Sequence, residues 1–293
     1  MSGVISSIIT NSAAMVAVES LNSINTALQT TQTAVSTGYS VNQASDNGAA
    51  YAVAQSIRTN IAGLTAANQQ LGDTQGLLAT TNTALTQVSD LMQSMDQTLV
   101  NLSSGTLSTS QRTQYAAQFS SQLSNIKSFI TGASYNGTSL IGSSTGTLKP
   151  TSASFVGAGY TVSIDASGST LAIAATNLSN VYTQLSQINS GLSTLSSASV
   201  GGFLASTGSF TGAVASIGTF MNTYGNLTNQ INSQITYNQN KMDALSNGLG
   251  ALVDANMAAE SATLQSLQIQ QQLATSSLSI ADQSPSLLTK LFP

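Results

Sequence analysis

From Val53 to Leu102 the apolar residues recur at Ile57, Ile61, Leu64, Leu71, Leu78, Leu85, Val88, Met92, Met95, Leu99 and Leu102, in steps of three, four and seven. A stripe of period near 3.5 kept up this long specifies a helix packed lengthwise, because only another long helix can cover it. Fifty residues at 1.5 Å each make a rod of roughly 75 Å. Asn47-Gly48 ahead of the stripe reads as a breaker, with Asp46 or Asn47 as the N-cap. Gly63, Gly72 and Gly76 fall inside the pattern, each at a cost of roughly 1 kcal/mol against Ala. They mark a close approach or a bend, or are losses that a packed bundle tolerates.

The same periodicity returns along the chain. Tyr115, Phe119, Leu123, Ile126 and Ile130 follow a short break at Ser103–Ser110, which predicts a second helix folded back antiparallel on the first. Val18, Leu21, Ile24, Leu28 and Val35 predict an N-terminal helix ending near Gly38, preceded by an uncharged stretch with Val4, Ile5, Ile8 and Ile9. Leu178, Val181, Leu185, Ile188, Leu192 and Leu195 predict another, followed by a Gly/Ser-rich gap over Ser196–Gly208. From Phe210 a stripe runs through Val214, Ile217, Phe220, Tyr224, Leu227, Ile231 and Ile235 to a second breaker at Asn247-Gly248. A last helix then carries Val253, Met257, Leu264, Leu267 and Leu278, loosened by Pro285 before Leu287, Leu288, Leu291 and Phe292. Only between Gly132 and Asn177 does the period change to two, in Tyr160–Ile164 and Leu171–Ile173 about the turn Asp165-Ala-Ser-Gly168, a small β-hairpin. The fold class is mainly α, a long antiparallel helical bundle and coiled coil from both termini, with the β element in the middle. Apolar, nearly uncharged chain ends are the mark of an assembling subunit, since each end helix must bury its stripe against the other terminus or against neighbouring chains.

Composition narrows the function. Charged residues make up 5% and hydrophobic ones 41%, leaving about 45% to Ser, Thr, Asn and Gln, where ordinary domains carry roughly 25% charged residues. There is no His and no Cys, so no imidazole base, thiolate nucleophile or zinc site of the usual kind is available. Six Lys and Arg give no electrostatic footprint for nucleic acid. No uninterrupted run of 18 apolar residues speaks for membrane insertion, and the first basic residue, Arg58, comes too late for a secretory signal.

Motifs with catalytic overtones fare poorly. Ser124-Asn-Ile-Lys127 fits S-x-x-K without its companions, and Gly248-Leu-Gly250 lacks the third glycine and the strand of a dinucleotide loop. Asp90 and Asp96 are six residues apart and point to different sides of a helix. The sequence therefore predicts no enzyme, cofactor or metal. Asp46 and Arg58 stand out because charges are so scarce; each is read as having an intersubunit or interhelical partner, a solvated charge being the alternative.

Three separated segments resemble the bacterial flagellin family. Asn42-Gln-Ala-Ser-Asp46-Asn-Gly-Ala-Ala-Tyr-Ala-Val-Ala-Gln-Ser-Ile-Arg58, with Ile61-Ala-Gly-Leu64 and Ala67-Asn-Gln-Gln, is similar to the segment opening the first long helix of flagellins. Tyr135-Asn-Gly-Thr-Ser-Leu-Ile141 resembles the motif before their hairpin, with Tyr for Phe, and Leu278-Ser-Ile-Ala-Asp-Gln-Ser-Pro285 through Leu291-Phe292 resembles their tail. The resemblance covers about residues 1–141 and 206–293. It implies a structural subunit that self-assembles as a helical homopolymer into the extracellular flagellar filament. It also implies export, unfolded and without a cleaved signal, by the flagellar export apparatus with a chaperone, and contact with hook-associated junction and cap proteins. Terminal helices 1–41 and 253–293 would form the inner coiled-coil domain, 42–131 with 206–252 the helical bundle, and 132–205 the hairpin and variable tip. The expected assembly interface is Val18, Leu21, Ile24, Leu28, Leu264, Leu267, Leu278 and Phe292, with Asp46 and Arg58. A hook–filament junction protein is the alternative within the same assembly, and a secreted helical effector or adhesin the alternative outside it.

Overall fold

The computed structural model describes residues 11–142 and 157–289, with side chains as far as residue 283. Val4, Ile5, Ile8, Ile9, Leu291 and Phe292 lie outside the described residues. Those described form α1 (Ser12–Thr37), α2 (Gly48–Leu102), α3 (Thr109–Gly132), β1 (Tyr160–Ser163), β2 (Thr170–Ile173), α4 (Ser179–Gly191), α5 (Ser197–Leu204), α6 (Ser209–Val253) and α7 (Met257–Thr289). The protein is mainly α with one small antiparallel hairpin.

Local chemistry sets several helix ends. Asn11 Oδ1 accepts from Ala14 N at 3.1 Å to start α1, and Gly38, at φ 76°, closes it by donating to Ala34 O. Asn47 is the N-cap of α2, accepting from Ala50 N at 3.1 Å. Ser108 and Gln111 form a reciprocal capping box on α3. With so few charges, the helix surfaces satisfy themselves: Thr26, Thr30, Thr33 and Thr37 each donate their hydroxyl to the carbonyl four residues back.

In three places the helices depart from the sequence signal. The stretch Ser196–Gly208, expected to be an open gap, contains α5; Ser196 caps it by accepting from Ser199 N at 3.2 Å, and buried Val200 anchors it. Asn247-Gly248 breaks nothing, because α6 runs through it to Val253. The helix ends where the chain pairs with the α1–α2 connection: Val253 O accepts from Ser40 N, and Ala255 N donates to Gly38 O. Leu249, Leu252 and Val253 bury there against Val41, Ala54 and Tyr51, outweighing roughly 1 kcal/mol for a helical glycine. Pro285 does not end α7, which continues to Thr289.

The chain divides into two compact units, Met1–Asn60 with Asp243–Pro293, and Ile61–Met242. In the second unit the stripe of α2 is buried from Leu64 onward: Leu71, Leu78, Leu85, Val88, Met92, Met95, Leu99 and Leu102 are buried with Phe119, Ile126 and Ile130 of α3 and Phe210, Ile217, Tyr224 and Ile231 of α6. Antiparallel α2 and α6 are stitched by amides and hydroxyls, Asn68 with Asn238, Gln75 with Asn232 and Asn82 with Thr228. Arg112 joins α3 to the α4–α5 connection through Leu195 O at 2.9 Å and Ser197 Oγ at 3.2 Å. By length and composition alone, Ser197–Val253 includes a window apolar enough to cross a bilayer, although no long unbroken apolar run is present. Buried core helices meet the same criterion.

Of Gly63, Gly72 and Gly76 inside the α2 stripe, two are explained by close approach. The hairpin pairs Tyr160 with Ile173 through Ser163 with Thr170, and its turn is wound around Asp165, whose Oδ1 accepts from Ser167 N, Ser169 N and the Ser167 hydroxyl. The next residue, Ala166, sits on Gly63 so closely that a Cβ there would lie 2.8 Å from the Ala166 Cβ. Ile164 O accepts from Asn238 Nδ2 at 2.8 Å and Gln234 Nε2 at 3.2 Å, and Asn238 Nδ2 also donates to Asn68 Oδ1. Gly76 admits the ring of Tyr135, from the Asn136-Gly137 turn whose positive φ values, 48° and 77°, suit those residues. Gly72 faces open space.

Candidate assembly surface

In the first unit α1 lies antiparallel along α7. The contact seam is a heptad on both helices: half-buried Ala14, Ala17, Leu21, Ile24 and Leu28 with buried Thr31 on α1, and half-buried Leu264, Leu267, Gln271, Ala274, Leu278 and Ala281 on α7. Steps of three and four are what two helices need to stay in register over many turns. Polar groups also meet across the seam's edge, Gln271 Nε2 donating to Asn25 Oδ1 at 2.7 Å and Asn11 Nδ2 to Ala281 O at 2.9 Å.

The structure therefore distributes the expected interface residues unevenly. Leu21, Ile24, Leu28, Leu264, Leu267 and Leu278 spend part of their surface inside the chain's own helix pair. Val18 does not join that seam; it flanks it and is 42% exposed, beside Met15 at 64%. Asp46 accepts from Asn42 N at 2.9 Å, Gln43 N at 3.0 Å and Gln43 Nε2, shaping the turn that leads into α2. Those bonds, the Asn42 amide first, hold its carboxyl below the usual range. The Arg58 guanidinium stands 5.8 Å from the centre of the Tyr39 ring, a cation–π contact with the α1–α2 connection. Phe292 lies outside the described residues.

Apolar residues outside the expected stripe stand on the outer side of the pair. Ile269, Leu273 and Ile280 are 59%, 64% and 71% exposed, and steps of four and seven at 100° per residue align them opposite the seam. Met15 and Val16 face outward on α1 in the same way. The available signal was that α1 and α7 carry apolar residues on two faces, the pattern of a helix covered from both sides. Each Leu or Ile taken from full exposure to burial contributes roughly 1.5–3 kcal/mol.

Comparison with known proteins matches both ends of the chain. The bacterial flagellin N-terminal helical region fits residues 8–145 and the bacterial flagellin C-terminal helical region fits residues 208–292. Flagellin FljK of Caulobacter vibrioides is 31% identical across 98% of this chain and 99% of its own length. A flagellin of Brucella melitensis is 31% identical over the same shares, and flagellin C of Rhizobium meliloti 30%. A solved chain described as a putative flagellar hook-associated protein from Vibrio parahaemolyticus covers 71% of this chain, and is itself covered in full, at TM-score 0.61 and 18% identity, a likeness of fold alone. Relatives of one kind matched along almost their whole length, with both terminal regions in order, make the chain a member of the bacterial flagellins, the structural subunits of the flagellar filament.

Proposed function

We propose that copies of this chain polymerise through the outer apolar faces of α1 and α7, and that the seam between the two helices builds those faces. The observation that carries this reading is the strip Ile269, Leu273, Ile280, exposed on a helix whose opposite side is already covered. In this reading Val18, with Met15 and Val16, contacts a neighbouring copy directly. Leu21, Ile24, Leu28, Leu264, Leu267 and Leu278 hold the pair together, and Phe292 extends the apolar tail. Asp46 and Arg58 shape the entry to α2. The terminal helices are the inner coiled-coil domain, residues 42–131 with 206–252 the bundle, and 132–205 the hairpin and tip.

The remaining expectations of the family belong to the same proposal. The chain leaves the cell unfolded through the flagellar export apparatus with a chaperone, without a cleaved signal, and joins a filament bounded by junction and cap proteins. It performs no catalysis and takes no cofactor, in line with its lack of His and Cys, binds no nucleic acid, in line with its six Lys and Arg, and does not insert into a membrane. Removing residues 254–293 tests the assembly role. We expect a chain that keeps the helical circular dichroism of the second unit, stays soluble, and fails to elongate sheared filament seeds; elongation by the truncated chain would refute the proposal.

A further inference from the structure

Proline has no N–H to donate, so in α7 the carbonyl four residues before Pro285, that of Ala281, loses its helical donor. The helix nevertheless continues to Thr289. The donor comes from the other end of the chain: Asn11 Nδ2 reaches Ala281 O at 2.9 Å. The same amide's Oδ1 accepts from Ala14 N at 3.1 Å, and the Asn11 carbonyl accepts from Met15 N at 3.0 Å, opening the first turn of α1. One side chain in one orientation thus satisfies an unpaired amide of α1 and an unpaired carbonyl of α7. Ser and Asp share the capping ability of Asn, but an ionised Asp has no donor and Ser is too short to span both groups.

We propose that Asn11 is a positioning residue that fixes the longitudinal register of α1 on α7, using the carbonyl that Pro285 leaves open. A heptad seam specifies which faces meet but not which heptad meets which, and small residues such as Ala14, Ala17, Ala274 and Ala281 discriminate poorly between neighbouring settings. A slide of seven residues moves one helix about 10 Å along the other. Pro285 is the single proline of α7, so a carbonyl freed by proline occurs at one place along it. Register also decides where Met15, Val16 and Val18 stand relative to Ile269, Leu273 and Ile280, so this role underlies the outer surface assigned to assembly but concerns contacts within one chain.

A double-mutant cycle tests it. Asn11→Ser keeps the helix cap and removes the bridging donor, while Pro285→Ala restores the N–H that pairs with Ala281 O inside α7. Filaments of the full chain, the two single variants and the double variant are compared by hydrogen exchange of peptides spanning residues 12–20 and 275–283. We expect Asn11→Ser to speed exchange about fivefold when Pro285 is present, the size of one lost hydrogen bond, and less than about twofold when it is combined with Pro285→Ala, since the two sites are then uncoupled. Equal acceleration in both backgrounds, or none with Pro285 present, would overturn the register role while leaving assembly through the outer face untouched. Should Asn11→Ser alone prevent polymerisation, recovery of filaments in the double variant supports the coupling and continued failure refutes it.

Discussion

Gly63→Ala and Gly72→Ala are the same substitution at two points of one helix, and the structure assigns them opposite signs. Alanine in a helix interior is worth roughly 1 kcal/mol over glycine. At Gly72 a new Cβ meets nothing within 4 Å, so that gain is realised in full. At Gly63 the Cβ would lie 2.8 Å from the Cβ of Ala166 and 3.2 Å from its Cα. Neither atom can swing aside, because both belong to the turn that Asp165 holds with Ser167 and Ser169. The hairpin has to lift as a body, against Asn238 and Gln234 on Ile164 O. Overpacking of this kind costs about 1–3 kcal/mol; less the propensity gain, Gly63→Ala loses about 1 kcal/mol and the two variants differ by about 2 kcal/mol. For a unit of this size each kcal/mol moves the thermal midpoint by about 2–4 °C, a separation of about 4–8 °C by circular dichroism. Gly76→Ala should fall between them, since the crowding group is the Tyr135 ring, 39% exposed and free to turn toward solvent. If Gly63→Ala raised the midpoint as much as Gly72→Ala, the hairpin would not be seated on α2 at that glycine.

Two further outcomes follow from the same docking site. Asn238→Leu strands Asn68 and removes one of the two donors on Ile164 O, so urea unfolding should show a loss of about 1–3 kcal/mol. The hydroxyl of Ser169, then that of Ser167, with both backbone amides, hold the Asp165 carboxyl down to about 2. Because this folded value lies below the unfolded one of about 3.9, the stabilisation is complete above that pH and is lost as pH falls from about 4 toward 2. Thermal midpoints should stay flat from about pH 5 to 8, the range in which a His would titrate and this chain has none, and decline only in strong acid. Asp165→Asn should flatten part of that decline, and an unchanged acid limb would show that the turn does not depend on the carboxylate.

Much of this molecule was legible before any coordinate was known. A stripe repeated from Val53 to Leu102 can be buried only along a rod, so α2, α3 and the mainly helical class followed from spacing. Gly38 and the Asp165–Gly168 turn act within a few residues of themselves, and here those local signals hold in the packed chain. The heptads of α1 and α7 were likewise visible, and with them the need for a partner.

What the partner is belonged to the tertiary structure. Spacing could not say that Leu21, Ile24 and Leu28 turn inward to α7 while Val18 turns out, because both faces of α1 carry apolar residues. It could not say why Gly63 and Gly76 are glycines and Gly72 merely is one; the reasons, Ala166 and Tyr135, lie far along the chain. Asn247-Gly248 reads as a stop by local preference of roughly 1 kcal/mol, and α6 ignores it because Leu249, Leu252 and Val253 have a buried place to go beside Val41 and Ala54. Pro285 announced a defect in the last helix, and only the fold brings Asn11, 270 residues from Ala281, to complete it. Local sequence states which hydrogen bonds and apolar faces a segment leaves open; which distant residue closes each is decided when the chain packs, since that choice depends on distances in space that sequence separation does not encode.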